Sequence, residues 1–391
     1  MTNMDDAAKE REREREKVFQ QCERFLFAHG PQRPRAVLAD LAAEAGPDEE
    51  PDRYGEGSLI SDFERDVAEL LGKEAAVFLP SGTMAQQIAL RIWAGRARTP
   101  TVAFHPTCHL EIHEQKGYEL LHGLHGRLVG ERSRLITLDD LRAMPGPLAA
   151  LLLELPQREI GGQLPSWSDL EAQTTWAREQ GAAAHMDGAR LWESGPFYGR
   201  SYADIAGLFD SVYVSFYKGI GAIAGAALAG PTAFIAEARL WQRRHGGNLV
   251  QLYPFVLSAR ANLRRRLPKF GGYVERAQAV ARVLSAIPGI TVKPDPPQTN
   301  MMHVFLRCDP ERLLEECVDI ARTERVLLFR RLVSTGVPGL AAIELALGDA
   351  VEAVSDAEIG AYFGRLMARA GAAETRSEPA PELARVRVGA H

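Results

Sequence analysis

Short apolar runs recur through the middle of this chain, at residues 75–79, 101–104, 149–153, 182–186, 212–216 and 222–228. Helical or loop segments separate most of them. That alternation predicts an α/β fold with a largely parallel sheet. In such a fold ligands gather beyond the carboxyl ends of the strands. Residues directly after these runs are therefore the first candidates for a site. Ahead of the first run, Ser61-x-x-Glu64 has the form of a capping box. Phe63, Val67, Leu70 and Leu71 give it a helical period, and Gly72 stops it. Ser81-Gly82-Thr83 then leads into a second helix, from Met84 to about Trp93.

From about residue 270 the pattern changes. A helix over 273–287 runs into a proline-rich stretch, with strands at 302–306, 326–329 and 342–347 and a helix from Pro310. The expected organisation is a charged arm and loop over 1–50, a large domain over 51–270 and a smaller α+β domain over 271–368. A disordered tail is expected over 369–391. At 391 residues there is enough chain for both domains. A net charge of −5 argues against a general nucleic-acid or membrane binder. Cys22, Cys108, Cys308 and Cys317 are far apart and read as free thiols in a reducing compartment. The N-terminus has no apolar signal core and no run approaches membrane-spanning length, so a cytoplasmic location is expected.

The chain has seven lysines and 39 arginines, and one of the lysines, Lys218, stands among glycines just past the run at 212–216. A lysine amine becomes a nucleophile for Schiff-base chemistry once its pKa is lowered. We read Lys218 as the anchor of pyridoxal phosphate (PLP); a surface lysine at a turn is the bland alternative. Asp187, in HMDGAR, closes the run at 182–186. A carboxylate there suits a protonated pyridine nitrogen, which turns the ring into an electron sink, although an Asp-Gly turn also ends many strands. Arg190 offers a bidentate partner for a substrate carboxylate, or pairs with a surface acid. Ser81, Gly82 and Thr83 offer backbone N–H groups and hydroxyls at a helix N-terminus, a phosphate cradle or an ordinary N-cap.

Two rival motifs are weaker. His109 and His113, with Glu114 beside them, invite a metal reading, but the zincin order of residues is absent. Gly219-x-Gly221-x-x-Ala224 mimics a dinucleotide fingerprint of an oxidoreductase, but it continues as a small-residue strand rather than a helix.

Taken together, five stretches resemble the threonine aldolase/β-eliminating lyase family of PLP enzymes. They are residues 54–90, 108–117 (CHLEIHEQKG), 185–194 (HMDGARLWES), 215–226 (SFYKGIGAIAGA) and 298–306 (QTNMMHVFL). The resemblance implies an aspartate-aminotransferase-like fold, with a mostly parallel seven-stranded sheet and a smaller C-terminal α+β domain. It implies that Lys218 forms the internal aldimine, Asp187 pairs with the pyridinium nitrogen and His109 stacks on the ring. Gly82 and Thr83 would take the phosphate, and Arg190 would lie near the substrate carboxylate. The implied reaction is cleavage of a β-hydroxy-α-amino acid to glycine and an aldehyde, by a homodimer or homotetramer. β-Elimination or replacement on a β-substituted amino acid is the close alternative. A PLP-fold binding protein without activity is the alternative of another class.

The chain also departs from the family. FAHGPQRPR stands where a Ser-Asp-Thr motif is usual, Val250 and Glu344 stand where arginines are usual, and Tyr217 replaces the serine before the lysine. A buried carboxylate without a cation is costly. Either the substrate differs or another arginine serves, with Arg33, Arg35, Arg330 and Arg331 as candidates.

Overall fold

The computed structural model describes residues 2–371. Twelve strands follow in chain order: β1 (Arg24–Phe25), β2 (Ala75–Leu79), β3 (Thr101–Phe104), β4 (His125–Leu128), β5 (Ala150–Glu154) and β6 (Ala183–Gly188), then β7 (Ser211–Ser215), β8 (Ala226–Gly230), β9 (Ile290–Lys293), β10 (Met301–Arg307), β11 (Val326–Leu327) and β12 (Leu340–Ala346). Seven of them form one sheet in the order β2-β8-β7-β6-β5-β3-β4. The pairs from β7 to β4 are parallel, and β8 runs against both its neighbours. This is the expected α/β sheet. Its central strands are buried on both faces, so they read as continuous apolar runs rather than alternating ones.

The structure departs from the sequence reading at several points. The run at 222–228 starts later, as β8, because Gly221 and Gly225 turn the chain with φ of 74° and 106°. A side chain on Gly225 would also collide with the Phe78 ring. Ser61 caps nothing. The helix begins one turn earlier, at Ser58, and buries Leu59 and Ile60, while the Ser61 hydroxyl donates to Ser58 O at 3.2 Å. Burial of two more apolar residues outweighs a cap worth about 1 kcal/mol. The edge strand β4, HGRL, was not foreseen, because it is largely exposed and carries no apolar pattern.

The N-terminal part of the chain carries the helices α1 (Thr2–Gln20), α2 (Pro34–Glu44), α3 (Ser58–Leu70) and α4 (Gly82–Ala97). α4 packs across the sheet, where His185 of β6 fixes it. The His185 ring nitrogens lie 2.7 Å from Ser211 Oγ and 2.7 Å from Gln86 Oε1. Burial pushes this histidine down to about 3, so it is a neutral core residue.

A second core belongs to the antiparallel sheet β12-β10-β9 and the helices over it. The expected N-terminal arm is only partly an arm. α1 exposes its charged turns, but Phe19, Cys22 and Phe25 pack against Ala321 and Leu327. β1 pairs in parallel with β11, and Leu26 enters the C-terminal core. The expected tail begins too early, since residues 369 and 370 complete the helix Asp356–Ala370. The rest of the tail, from 372 on, lies outside the described residues. Among the described residues no helix is long and apolar enough to cross a membrane.

Candidate active site

The parallel strands β5, β6 and β7 deliver the chemistry to one edge of the sheet. Glu154 of β5 and Asp187 of β6 are register partners, and Tyr213 of β7 is the partner of Asp187 on the other side. Lys218 follows β7 by three residues. The charges of Asp187 and Glu154 act on Lys218, and those of Lys218 and His109 act on Asp187. The fold therefore brings together residues spread over more than a hundred positions.

The Asp187 carboxylate is buried, and Oδ1 accepts from the Ala189 N–H at 3.0 Å. Burial raises its pKa, opposed by Lys218, that N–H and His109. Glu154 is also raised, by burial and by Asp187 beside it. Two neighbouring carboxylates in a dry site cannot both ionise freely. Gln157 Nε2 donates to Glu154 at 3.2 Å and the Arg158 N–H does so at 3.2 Å. The Lys218 amine is shifted downward by burial and then by Arg190, against the pull of Asp187 and Glu154.

His109 opens a short helical turn, His109–Ile112. Its Nδ1 lies 2.9 Å from Glu114 Oε1, and Gln87 Nε2 of α4 donates to the other Glu114 oxygen at 3.3 Å. The second histidine of the motif has a different partner, since His113 Nε2 lies 2.8 Å from Glu159. Each histidine is thus held by its own carboxylate. At the start of α4, Ser81 is the N-cap and its Oγ accepts from the Met84 N–H at 3.3 Å. Gly82 has no room for a side chain, because a Cβ would strike the Tyr213 hydroxyl. The first N–H groups of a helix have no intrahelical acceptor, so α4 offers donors here beside the hydroxyls of Thr83 and Tyr213.

Across from this cluster lies a set of charges that sequence reasoning missed. Arg158 forms an ion pair with Glu344 of β12: Nη2 donates to Oε1 at 3.1 Å, Nε lies 2.9 Å from Oε2 without the alignment of a hydrogen bond, and Nη1 lies 3.0 Å from Glu159. Burial opposes the Glu344 charge, but His303, Arg158 and Arg190 overcome it and hold the carboxyl at about 2. Arg190, by contrast, is loosely held, with Nε 3.9 Å from Glu193 Oε1. Glu193 is 2% exposed, and among the described residues its Oε2 has no hydrogen-bond partner. Burial pushes it up to about 7, against Arg190 and Lys218. The two guanidinium groups whose charges bear on Lys218 are Arg190 and Arg158. The four surface candidates, Arg33, Arg35, Arg330 and Arg331, are exposed. The one clue to Arg158 in the sequence was Glu344 itself, an acid on an apolar strand that needed a cation.

The architecture is that of the PLP-dependent enzymes of fold type I. Sphingomonas wittichii serine palmitoyltransferase, 16% identical, shares it with a TM-score of 0.66 over 88% of this chain and 87% of its own. The description "Beta-eliminating lyase" covers the family model that matches residues 34–307, and the chain belongs to that family as a lyase. It is 31% identical over 297 residues to aldolase vrtJ of Penicillium aethiopicum, 72% of this chain and 74% of the relative. It is 28% identical to low-specificity L-threonine aldolase 1 of Arabidopsis thaliana, over 73% of this chain and 81% of that one. Among solved structures, a Listeria monocytogenes protein assigned as an L-allo-threonine aldolase is 41% identical. Its TM-score is 0.87, and the match covers 91% of this chain and 99% of that one.

Proposed function

We propose that the chain is a PLP-dependent aldolase that cleaves β-hydroxy-α-amino acids to glycine and an aldehyde. The observation that carries this reading is the convergence of Lys218, Asp187 and His109 at the strand ends, next to the N-terminus of α4. The residues present suit the cofactor. Gly82, bare against the Tyr213 hydroxyl, leaves the donors of α4 open for a phosphate with Ser81 and Thr83. Asp187 would pair with a ring nitrogen, His109 would stack on a ring face and Lys218 would bond the aldehyde carbon. When bound, PLP supplies the electron sink for the pair left at the substrate α-carbon.

The rest of the work falls to the protein. Burial beside Arg190 favours the neutral Lys218 amine, the form that attacks a carbonyl. The Glu114 carboxylate and Gln87 fix the orientation of the His109 ring. Arg190, with only a long contact to Glu193, is free to take the substrate carboxylate. Arg158 is engaged by two acids, so Arg190 is the better carboxylate anchor. The relatives named threonine aldolases favour this substrate class. We further propose a homodimer or homotetramer. The four cysteines are buried and unpaired, which supports a reducing, cytosolic setting.

The test begins with PLP uptake. The protein is expected to gain a visible absorbance band that borohydride or Lys218→Ala removes. Glycine and aldehyde are expected from threonine, allo-threonine or phenylserine. Pyruvate and ammonia from β-chloroalanine, with no aldehyde from the hydroxy amino acids, would replace the aldolase reading by β-elimination. A protein that stays colourless with added PLP sinks the cofactor assignment.

A further inference from the structure

The loop after Lys218 is gripped by its main chain. Three consecutive carbonyls each accept a side-chain donor. His29 Nε2 lies 2.8 Å from Gly219 O, Arg266 Nη1 donates to Ile220 O at 2.6 Å, and Gln32 Nε2 donates to Gly221 O at 2.9 Å. Two of these donors come from the segment after β1, which runs from the C-terminal core back to the large sheet.

His29 is the most confined of the three. Ala28 and Gly30 take φ of 53° and 78°, which turns the chain sharply on either side of it. Its side chain is 9% exposed. The Asp349 N–H donates to His29 Nδ1 at 3.2 Å. The Gly219 carbonyl can only accept, so Nε2 carries a proton and donates it there, while Nδ1 also lies 3.3 Å from Asp349 Oδ2. Burial, and then the Arg266 guanidinium, push the ring pKa down and keep it neutral. Gly348 shows how close the fit is, since a Cβ there would come within 2.6 Å of Ala28 O and 2.7 Å of His29 Cε1. Asp349 completes the frame, with Arg266 at 2.9 Å and Lys269 at 2.8 Å on its carboxylate.

We infer that His29 is a positioning residue for Lys218: its Nε2–H fixes the Gly219 carbonyl and ties the lysine-bearing loop to Gly348 and Asp349, next to β12. This rests on the reading of Lys218 as the reactive amine. The link runs through one peptide unit. Gly219 O belongs to the 219–220 peptide, one unit beyond the plane that joins Lys218 to Gly219, so the hydrogen bond restrains the Gly219 torsions and through them the loop that carries the lysine. The same ring registers where the segment after β12 sits. His29 thus couples placement of the amine to docking of the C-terminal unit.

Two conservative variants separate the functions of the ring. Glutamine can place an N–H where Nε2 stands, and asparagine an acceptor where Nδ1 stands. The measurements are hydrogen exchange of the 216–225 segment in the full chain without cofactor, and kcat and KM of the PLP-loaded protein. His29→Gln is expected to keep slow exchange and to hold kcat within about twofold, because it preserves the hydrogen bond. His29→Asn is expected to speed exchange and lower kcat by about tenfold, with KM within about twofold, the loss of roughly one hydrogen bond. Any other pattern overturns the inference: protection kept in both variants, protection lost in both, or a change in KM alone. If the unmutated protein takes up no PLP at Lys218, the reading of the lysine fails. The exchange comparison still decides whether His29 holds the loop.

Discussion

Asp187 and Glu154 sit side by side on neighbouring strands, and both are pushed toward their neutral forms by burial. What separates them is company. Both take a backbone N–H and feel the Lys218 charge, but for Asp187 that charge is the largest opposing cause and His109 adds to it, whereas for Glu154 the Asp187 charge is the largest cause after burial and acts against ionisation. Asp187 is therefore the one favoured as the anion, as a partner for a ring nitrogen must be. Asp187→Ala is expected to weaken PLP retention by at least about tenfold, the scale of one charge-assisted hydrogen bond. A variant with unchanged absorbance and turnover would reject that role. At this scale much of the candidate site was legible. Lys218, Asp187 and Ser81 follow apolar runs, and runs can be read. Arg158 and Glu193 were not, because their significance depends on which charges stand opposite, and these come from distant strands.

The three-residue helix Arg158–Ile160 is tied to the strand β12 by the Arg158–Glu344 pair. Glu344 is held at about 2, below its ordinary value of 4.5. A depressed carboxylate contributes stability above its unfolded pKa and loses it as pH falls through the folded one. The contribution is thus full near neutral pH and fades between about 4.5 and about 2. The shift corresponds to at most about 3 kcal/mol. Glu344→Gln is expected to lower unfolding stability at pH 7 and to differ less from the parent as the pH drops below 4.5. Denaturant unfolding across that range checks it, and a pH-independent difference would show that the ion pair is not the cause. The strand that carries Glu344 was visible in the apolar run at 342–347, but what the strand faces was not.

Apolar surface is left open on the molecule as a whole. Tyr54, Leu249 and Val250 are exposed, and the Tyr54 N–H donates to Val250 O at 3.0 Å, which puts two of these side chains on adjoining backbone. Leu120 and Leu121 are exposed as well. Exposed large apolar side chains that adjoin, as Tyr54 and Val250 do, are usual where a second copy packs. Light scattering is expected to give a mass of two or four chains, and Val250→Glu is expected to shift it toward one. A parent protein that runs as a monomer at micromolar concentration would remove the oligomer from the proposal.

The amino-acid order alone determined the layout: alternating apolar runs specify a parallel sheet, and the residues after them specify where a ligand must sit. It also determined the cofactor candidate, since a lone lysine and an aspartate at strand ends are local signals. Folding decided the surroundings. Arg158 finds Glu344, Glu193 is left with an unpaired oxygen, and His29 reaches the Gly219 carbonyl across 190 positions. Local sequence fixes backbone conformation through propensity and period, whereas pKa values and ion pairs depend on charges brought within a few ångströms by long-range packing. That is why the candidate anchor of the site could be read from the chain, and the groups that tune it could not.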